Sequence, residues 1–327
     1  MKRIGLALLA LLAAGPALAD APFACQGKDL SADPALKVDR AAHAGELVNA
    51  DGLLWRIDKD GVAPSFFYGT MHSTQPAAIA LAREAAKHID SAKAVATELG
   101  GPMDAADKVS LSGSLIAAAL APDRDTLAEA IPAAEIPAVE AYLANHGLPG
   151  PMAHHLKTWF LAATTSLPQC EADGEREGLP EVDDTIARIA KASHVPVIAL
   201  ETAAEQIVAI SQTPADAAAL LLRSAARDPL LSDDSYMTLL SLYLQKRPAE
   251  AIAVLDAAPG LTEEERAAEA AFTQGLLATR NETMIRRAGP LLAAGGAFIA
   301  VGALHLSGKE GLIERARTEG YKVTKVW

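Results

Sequence analysis

Two short turns with a shared pattern constrain the fold of this chain more than any other feature. Residues 69–72 read Gly-Thr-Met-His and residues 302–305 read Gly-Ala-Leu-His, and each follows an apolar run typical of a β-strand. Glycine at a strand end allows close backbone approach, so His72 and His305 are each expected to point into a crevice. Either histidine alone would more simply be a partly buried side chain bound to a backbone carbonyl. Their repetition predicts a shared site that could hold a metal ion.

Strand-like segments alternate with helical ones, which favours an α/β fold with a central mixed β-sheet and helical insertions. Residues 53–57 and 65–68 predict a β-hairpin around the turn Asp-Lys-Asp-Gly. The run 195–201 is continuously apolar before its final acid, so it predicts a central strand, with Pro196 near its start. The other predicted strands are 94–100, 297–302 and 321–326.

Most of the remaining chain has the composition of helices. Ala and Leu dominate residues 104–166, and prolines separate this stretch into several short helices. We therefore predict a single domain over residues 20–327 that carries a helical insertion around 104–166. Helices are also predicted over 79–91, 183–192 and 311–319. Residues 203–287 are predicted to be mostly helical, with a capping box at Thr262 and Glu265 before an Ala-rich helix.

The first residues have the features of a secretory signal peptide. Lys2 and Arg3 precede an apolar run over residues 4–12, and residues 17–19 form a small-residue cleavage site. We expect cleavage near Ala19 and a periplasmic or secreted mature protein. The apolar run is short for a membrane span and no later run is long enough, so an integral membrane protein is not expected.

The charge of the chain indicates which partners to expect, and its cysteine content indicates a disulfide. The formal net charge is −12 and Lys and Arg are not clustered, which argues against a nucleic-acid partner. Cys25 and Cys170 are the two cysteines, and an oxidising compartment makes their pairing the default. We predict a disulfide between them. Two isolated cysteines lack the paired spacing of a zinc site.

Four polar residues end the predicted strands, and their order suggests two related halves of the chain. His72 and then Glu98 come from the first half, and Glu201 and then His305 come from the second. Imidazole and carboxylate groups are good ligands for divalent Mn, Fe, Co or Zn. Such an ion acidifies bound water, so hydrolysis of an amide or ester is the predicted reaction class.

The two glutamates also permit a purely structural interpretation. A carboxylate at the end of an apolar strand is costly to bury without a partner, so Glu98 and Glu201 should both be paired. For Glu201, an ion pair with arginine is as plausible as metal ligation. Arg280 and Asn281, predicted at the end of a helix, are candidates to orient a carboxylate or stabilise an oxyanion.

These segments together resemble the TraB/GumN family, which is related to the Tiki metalloproteases. The resemblance spans nearly the whole mature chain in the family's order. It rests on residues 54–57 with 67–72, 95–99, 183–202 with Glu205 and Gln206, Arg280 with Asn281, and 301–308 with 320–321.

The resemblance implies the fold of the Tiki proteases, which an erythromycin esterase and a haem-binding protein share. It also implies a metal-dependent peptidase that uses Mn or Co rather than Zn. His72, His305 and Glu98 would form the metal site, and Arg280 and Asn281 would lie near it. Glu201 would have a structural role next to these residues without binding the metal itself.

Two other functions remain compatible with the same residues, and the substrate stays open between a peptide and a small molecule. The first alternative is a non-catalytic binding or accessory protein of the cell envelope that uses the same crevice. The second is an esterase in which one histidine acts directly as general base without a metal.

Overall fold

A six-stranded mixed sheet forms the centre of the protein in the computed structural model, which describes residues 23–327. The predicted signal peptide at residues 1–19 lies outside the described residues. In chain order the strands are β1 (Leu54–Asp58), β2 (Ser65–Thr70), β3 (Ala94–Thr97), β4 (Val197–Ala199), β5 (Ala297–Gly302) and β6 (Lys322–Lys325). Their order across the sheet is β4-β3-β5-β2-β1-β6.

Four neighbouring strands of this sheet are parallel. β2 pairs with β5, β5 with β3, and β3 with β4. β1 is antiparallel to both β2 and β6, and Leu54 lies opposite Tyr68 in the predicted hairpin. Because the carboxyl ends of parallel strands meet at one edge of a sheet, the residues that follow β2, β3, β4 and β5 lie along one edge.

The prediction of a central strand over residues 195–201 is wrong. β4 covers only Val197–Ala199, and it lies at the edge of the sheet beside β3. The side chain of Ile198 is 38% exposed. An edge position also explains Pro196, which has no N–H group to contribute to a ladder. The strands that are buried on both sides are β2, β3 and β5.

The helices account for most of the remaining described residues, and the predicted helical segments are confirmed. Among residues 23–327, no helix is both long enough and apolar enough to span a membrane. The helices are α1 (Pro76–Ala85), α2 (Ala105–Ala119), α3 (Thr126–Ala130), α4 (Ile136–Asn145), α5 (Gly150–Ala153), α6 (Thr158–Thr165), α7 (Gln169–Arg176), α8 (Val182–Ala192), α9 (Ala203–Ser211), α10 (Ala215–Arg227), α11 (Pro229–Leu244), α12 (Glu250–Asp256), α13 (Glu263–Ala294) and α14 (Leu312–Thr318).

Helices cover both faces of the sheet. Successive side chains of a strand point to opposite faces, and Phe67 and Tyr68 of β2 show this alternation. Tyr68 packs in the core shared with α1, α8 and α11, whereas Phe67 packs in the core shared with α13 and α14. Both side chains are fully buried.

The predicted helical insertion forms a separate hydrophobic core. Helices α2 to α6 occupy residues 105–165, and α10 packs against them. Leu127, Leu143, Leu161 and Leu222 are among the buried side chains of this core. The insertion therefore has its own packing rather than sharing the two cores against the sheet.

The predicted disulfide is present. Cys25 and Cys170 are bonded, with their Cα atoms 5.2 Å apart. The bond connects the first described residues to the start of α7.

Candidate functional site

The four polar residues predicted at strand ends lie along the same edge of the sheet. His72 follows β2, Glu98 follows β3, Glu201 follows β4 and His305 follows β5. These strands are consecutive neighbours in the sheet, in the order β4-β3-β5-β2. The strand order therefore brings together residues that are far apart in the chain. The suggested relation between two halves of the chain stays a prediction.

Both glycines of the repeated turns lie where neighbouring atoms approach closely, and the approach is closest at Gly69. A Cβ atom at Gly69 would lie 2.9 Å from the Cβ atom of Ala303 and 3.0 Å from its Cα atom. A Cβ atom at Gly302 would lie 3.2 Å from Oε1 of Glu98. The two turns thus pack directly against each other, and the second also contacts Glu98.

Arg280 joins the two glutamates. Its Nη2 atom donates to Oε2 of Glu98 at 2.6 Å and to Oε2 of Glu201 at 2.8 Å, and its Nε atom also donates to Glu201. Gln206 donates to both carboxylates, at 3.1 and 3.2 Å. Arg280 lies inside α13 rather than at the end of a helix as predicted, because α13 continues to Ala294. Its predicted role of orienting a carboxylate fits these contacts.

Glu98 is buried, yet its surroundings favour the ionised form. Burial acts to raise the pKa of Glu98, but the positive charge of Arg280 and the N–H group of Gly302 are among the influences that outweigh it and lower the pKa to about 2. Two carboxylates and one guanidinium leave a net negative charge in this part of the site. That charge makes the site a suitable place for a cation.

His305 is buried with one ring nitrogen fixed. Its Nδ1 atom lies 2.6 Å from Oδ1 of Asn281. The amide nitrogen of Asn281 donates to the carbonyl of Glu310, so Oδ1 is the atom that faces the ring and Nδ1 carries the proton. The unprotonated Nε2 atom lies 3.8 Å from Oε1 of Glu98. Burial lowers the pKa of His305 to about 4, which keeps the ring neutral near pH 7.

His72 is held in a similar way but on the outer side of the site. Its side chain is 69% exposed, and its Nδ1 atom lies 3.1 Å from Oε2 of Glu181. This hydrogen bond raises the pKa of His72. The ring is therefore protonated near pH 7, and Nε2 would have to lose its proton before it could bind a cation. Glu181 thus accepts a hydrogen bond from Nδ1 of His72, as Asn281 does from Nδ1 of His305.

Asp183 is a residue of this site that the sequence interpretation missed. Its Oδ1 atom accepts a hydrogen bond from Oγ1 of Thr70 at 3.0 Å. Its Oδ2 atom is buried without a hydrogen-bond partner. Burial raises the pKa of Asp183 to about 7. Asp183 lies in the first turn of α8, where acidic residues ordinarily interact with the helix dipole, so its position in the sequence gave no sign of this environment.

A crevice of about 220 Å³ opens beside these residues. Leu99, Met103 and Leu111 contribute apolar surface to it, so α2 of the helical insertion forms part of its wall. The crevice is thus partly apolar and partly charged. Its ionisable lining residues are His72, Glu98, Lys108, Glu181, Asp183 and Asp184.

Two features of the site are of the kind found at divalent-cation sites. Both histidines have Nδ1 fixed by an oxygen acceptor, which is how metal-ligating histidines are usually oriented, and Asp183 has a buried oxygen without a partner. However, no group of three or more His, Cys, Asp or Glu side chains within residues 23–327 is arranged to hold a metal ion. His305, Glu98, Glu201, Arg280 and Asn281 form one connected set, whereas His72 pairs with Glu181 across the crevice.

Comparison with known proteins places the chain in a family. The family model described as the TraB/PrgY/gumN family matches residues 53–325. No curated protein and no solved structure matches the chain. The match contains all four strand-end residues as well as Arg280 and Asn281.

Proposed function

This chain belongs to the TraB/PrgY/gumN family, and from that premise we propose that it is an exported metal-dependent hydrolase that acts on peptides. The observation that carries the proposal is the state of His305. Its ring is buried and neutral, its Nδ1 atom is fixed by Asn281, and its Nε2 atom faces an ionised carboxylate 3.8 Å away. A lone pair facing a negative charge is an unfavourable arrangement that a cation between them would stabilise.

The proposed roles follow from the contacts of each residue. His72, His305 and Glu98 would bind the cation, with Mn or Co as the proposed metals. When bound, such an ion polarises a substrate carbonyl and acidifies water. Arg280 holds Glu98 in place, and Asn281 orients His305.

Asp183 is the carboxyl group in this crevice suited to exchange a proton near neutral pH. Its free Oδ2 atom is buried at the crevice wall, and burial places its pKa at about 7. A general acid or base works best when its pKa lies near the working pH. The substrate would therefore lie between the strand-end residues and the start of α8.

The metal content of the purified mature protein tests this proposal. The protein is loaded with Mn, Co or Zn, and its metal is counted by mass spectrometry in wild type, His72→Ala, His305→Gln and His155→Ala. His155 is the matched control because it lies exposed in the helical insertion and binds the carbonyl of Arg124. We expect about one ion in the wild type and in the control, and loss of the ion in both site variants.

Peptide hydrolysis then separates the alternatives. Turnover of a fluorogenic peptide mixture that a chelator abolishes would support the metal-dependent peptidase. Stoichiometric metal without turnover of any substrate would favour the binding or accessory role instead. Hydrolysis that a chelator leaves unchanged would favour direct base catalysis by a histidine. A wild-type protein that takes up no metal under any loading condition would overturn the proposal.

Export is tested separately. We propose cleavage near Ala19 and a periplasmic or secreted mature chain, supported by the basic start, the apolar run and the small residues at 17–19. Cell fractionation and N-terminal mass spectrometry should find a chain that begins at Asp20 outside the cytoplasm. A full-length chain confined to the cytoplasm would contradict this part of the proposal.

A further inference from the structure

A second polar cluster lies behind the first Gly-x-x-His turn and takes no part in the chemistry proposed above. At its centre is Glu171, whose side chain is 1% exposed. Oε1 of Glu171 accepts from Oγ of Ser73 at 3.0 Å and from the hydroxyl of Tyr236. Oε2 accepts from the backbone N–H of Thr74 at 2.7 Å and from its Oγ1 atom at 2.6 Å. We call Glu171, Ser73, Thr74 and Tyr236 the Glu171 network.

Two of the three residues that donate to Glu171 directly follow His72 in the chain. Ser73 and Thr74 follow it directly, and both are buried, whereas the His72 side chain is exposed at the crevice. Three of the four donated hydrogen bonds come from these two residues. Glu171 therefore fixes the backbone immediately after His72, and that backbone determines where the imidazole can lie.

The disulfide restrains both Glu171 and the segment that follows His72. Cys170, the neighbour of Glu171, is bonded to Cys25. Gln75 donates to the carbonyl of Phe23 at 3.1 Å and contacts Sγ of Cys25 at 3.4 Å. The segment 73–75 is thus connected through Glu171 to α7, and through Gln75 to the first described residues.

Gly174 allows α7 to approach this segment. A Cβ atom at Gly174 would lie 2.6 Å from Oγ1 of Thr74 and 3.4 Å from its Cβ atom. Real Cβ atoms do not approach other atoms so closely, and Oγ1 of Thr74 is held by its hydrogen bond to Glu171. A side chain at this position would have to displace Thr74 or move α7.

We propose that Glu171, held by the Cys25–Cys170 disulfide and by the close approach at Gly174, is the positioning residue of His72. It determines the position at which the first Gly-x-x-His turn presents its imidazole to the crevice. The consequence for metal binding rests on the proposed function, whereas the positioning itself does not. The disulfide then has a local role at the site in addition to closing a loop of the chain.

The test uses glycine variants that leave Glu171 and the disulfide chemically intact. Hydrogen exchange of the Thr74 amide is measured in wild type, Gly174→Ala and Gly275→Ala. Gly275 is the matched control because it also lies within a helix, α13, and a Cβ atom added there meets nothing within 4 Å. We expect the Thr74 amide to exchange roughly tenfold faster in Gly174→Ala and at the wild-type rate in Gly275→Ala.

Variants of Glu171 provide a rescue test. Glu171→Gln keeps one oxygen for Thr74 and an amide that can donate to a hydroxyl, so Thr74 exchange should stay within about threefold of the wild-type rate. Glu171→Ala and the double variant Cys25→Ala/Cys170→Ala should both exchange faster by roughly tenfold or more. Unchanged exchange in Gly174→Ala and in Glu171→Ala would overturn the proposal.

A second readout follows His72 itself. The ring nitrogens of His72 are observed by NMR, where the wild type should show an Nδ1–H group that is hydrogen-bonded to Glu181. Loss or broadening of that signal in Gly174→Ala, with Gly275→Ala unchanged, supports positioning. An unchanged His72 signal together with fast Thr74 exchange would show that Glu171 stabilises the turn without positioning the imidazole, and would also overturn it.

Mn affinity distinguishes this proposal from the proposed function. If the wild type binds Mn, Gly174→Ala should weaken binding by roughly tenfold, the effect typical of losing an outer partner of a ligand. If the wild type binds none of Mn, Co and Zn, the proposed function fails, and the Thr74 and His72 signals still decide whether Glu171 positions the turn.

Discussion

Arg280 is the cation that two buried carboxylates share. Glu98 is 7% exposed and Glu201 2% exposed, and the guanidinium of Arg280 donates to both. A guanidinium can do this because its planar set of donors serves two acceptors at once, which the compact ammonium of lysine does less well. The charge state of the strand-end site therefore depends on a residue contributed by a helix.

We expect Arg280→Met to lower the free energy of unfolding by about 3–5 kcal/mol, because it leaves two carboxylates buried without a cation. Arg280→Lys should cost less, since a positive charge remains. Arg287→Met is the matched control: Arg287 lies on the same helix and pairs with Glu205, whose side chain is 41% exposed. The control should cost less than about 1 kcal/mol. Urea unfolding at pH 7 measures all three, and equal losses for Arg280→Met and Arg287→Met would contradict the expectation.

Asp183 should make the protein less stable as the pH rises. Burial raises the pKa of Asp183 from 3.8 to about 7 in the folded state, so the folded protein holds a proton that the unfolded chain releases. Stability contributed by the protonated form is present below the unfolded pKa and is lost as the pH rises through the folded pKa. In the absence of metal, Asp183→Asn should thus gain about 3–4 kcal/mol of stability over wild type between pH 4 and pH 7.

Thermal or urea unfolding across this pH range, with a chelator present, measures the effect of Asp183→Asn. Asp184→Asn is the control at the next position, where Oδ2 lies 3.7 Å from both Lys108 and Arg188. That variant loses two cationic neighbours and should show no such gain. A stability difference between Asp183→Asn and wild type that is independent of pH would show that the carboxyl group titrates normally.

At the scale of elements, the two Gly-x-x-His turns pack against each other because Gly69 has no side chain to keep them apart. Gly69→Ala would place a Cβ atom 3.0 Å from the Cα atom of Ala303, a backbone atom that cannot rotate away. We expect a loss of about 1–3 kcal/mol, as for an overpacked core. Gly45→Ala is the control, since its Cβ atom meets nothing within 4 Å. Urea unfolding compares them, and a neutral Gly69→Ala would mean that β2 and β5 can separate at little cost.

An element could be predicted from the sequence where the residues that determine it lie within the element itself. The β1–β2 hairpin and β5 follow from alternating or continuous apolar runs that end in a turn or a glycine, and both are present. The edge position of β4 does not follow, because an apolar run of that kind suits a buried strand equally well. The neighbours of a strand are determined by packing between distant segments, which the run itself does not encode.

The same distinction applies to the residues of the candidate site, because some are indicated by their own segment of the chain and others are not. His72, Glu98 and His305 could be predicted because each directly follows a recognisable strand. The ion pair between Arg280 and Glu98 could not be predicted. The two residues lie 182 positions apart and meet only because α13 packs across the sheet. Asp183 was missed for a related reason, because its burial depends on Thr70 and on the crevice rather than on its own helix.

At the scale of the whole molecule, the crevice lies where separate parts of the chain meet. The edge of the sheet supplies the strand-end residues, α8 and its N-cap residue supply Asp183 and Glu181, and α2 supplies apolar surface. Such a boundary at the carboxyl edge of parallel strands is a common position for a ligand site. The geometry of the crevice therefore depends on how the insertion and the N-terminal segment are held against the sheet.

The disulfide is the covalent part of that arrangement. It joins residues 145 positions apart, so it restricts the unfolded chain over nearly half its length. In the chain-entropy view, Cys25→Ala/Cys170→Ala should lower the free energy of unfolding by about 4–5 kcal/mol, less any strain that the bond relieves. Urea unfolding of the double variant measures this loss. A loss under about 1 kcal/mol would mean that Glu171 and its partners hold the N-terminal segment without the covalent bond, and that the unfolded chain is already compact.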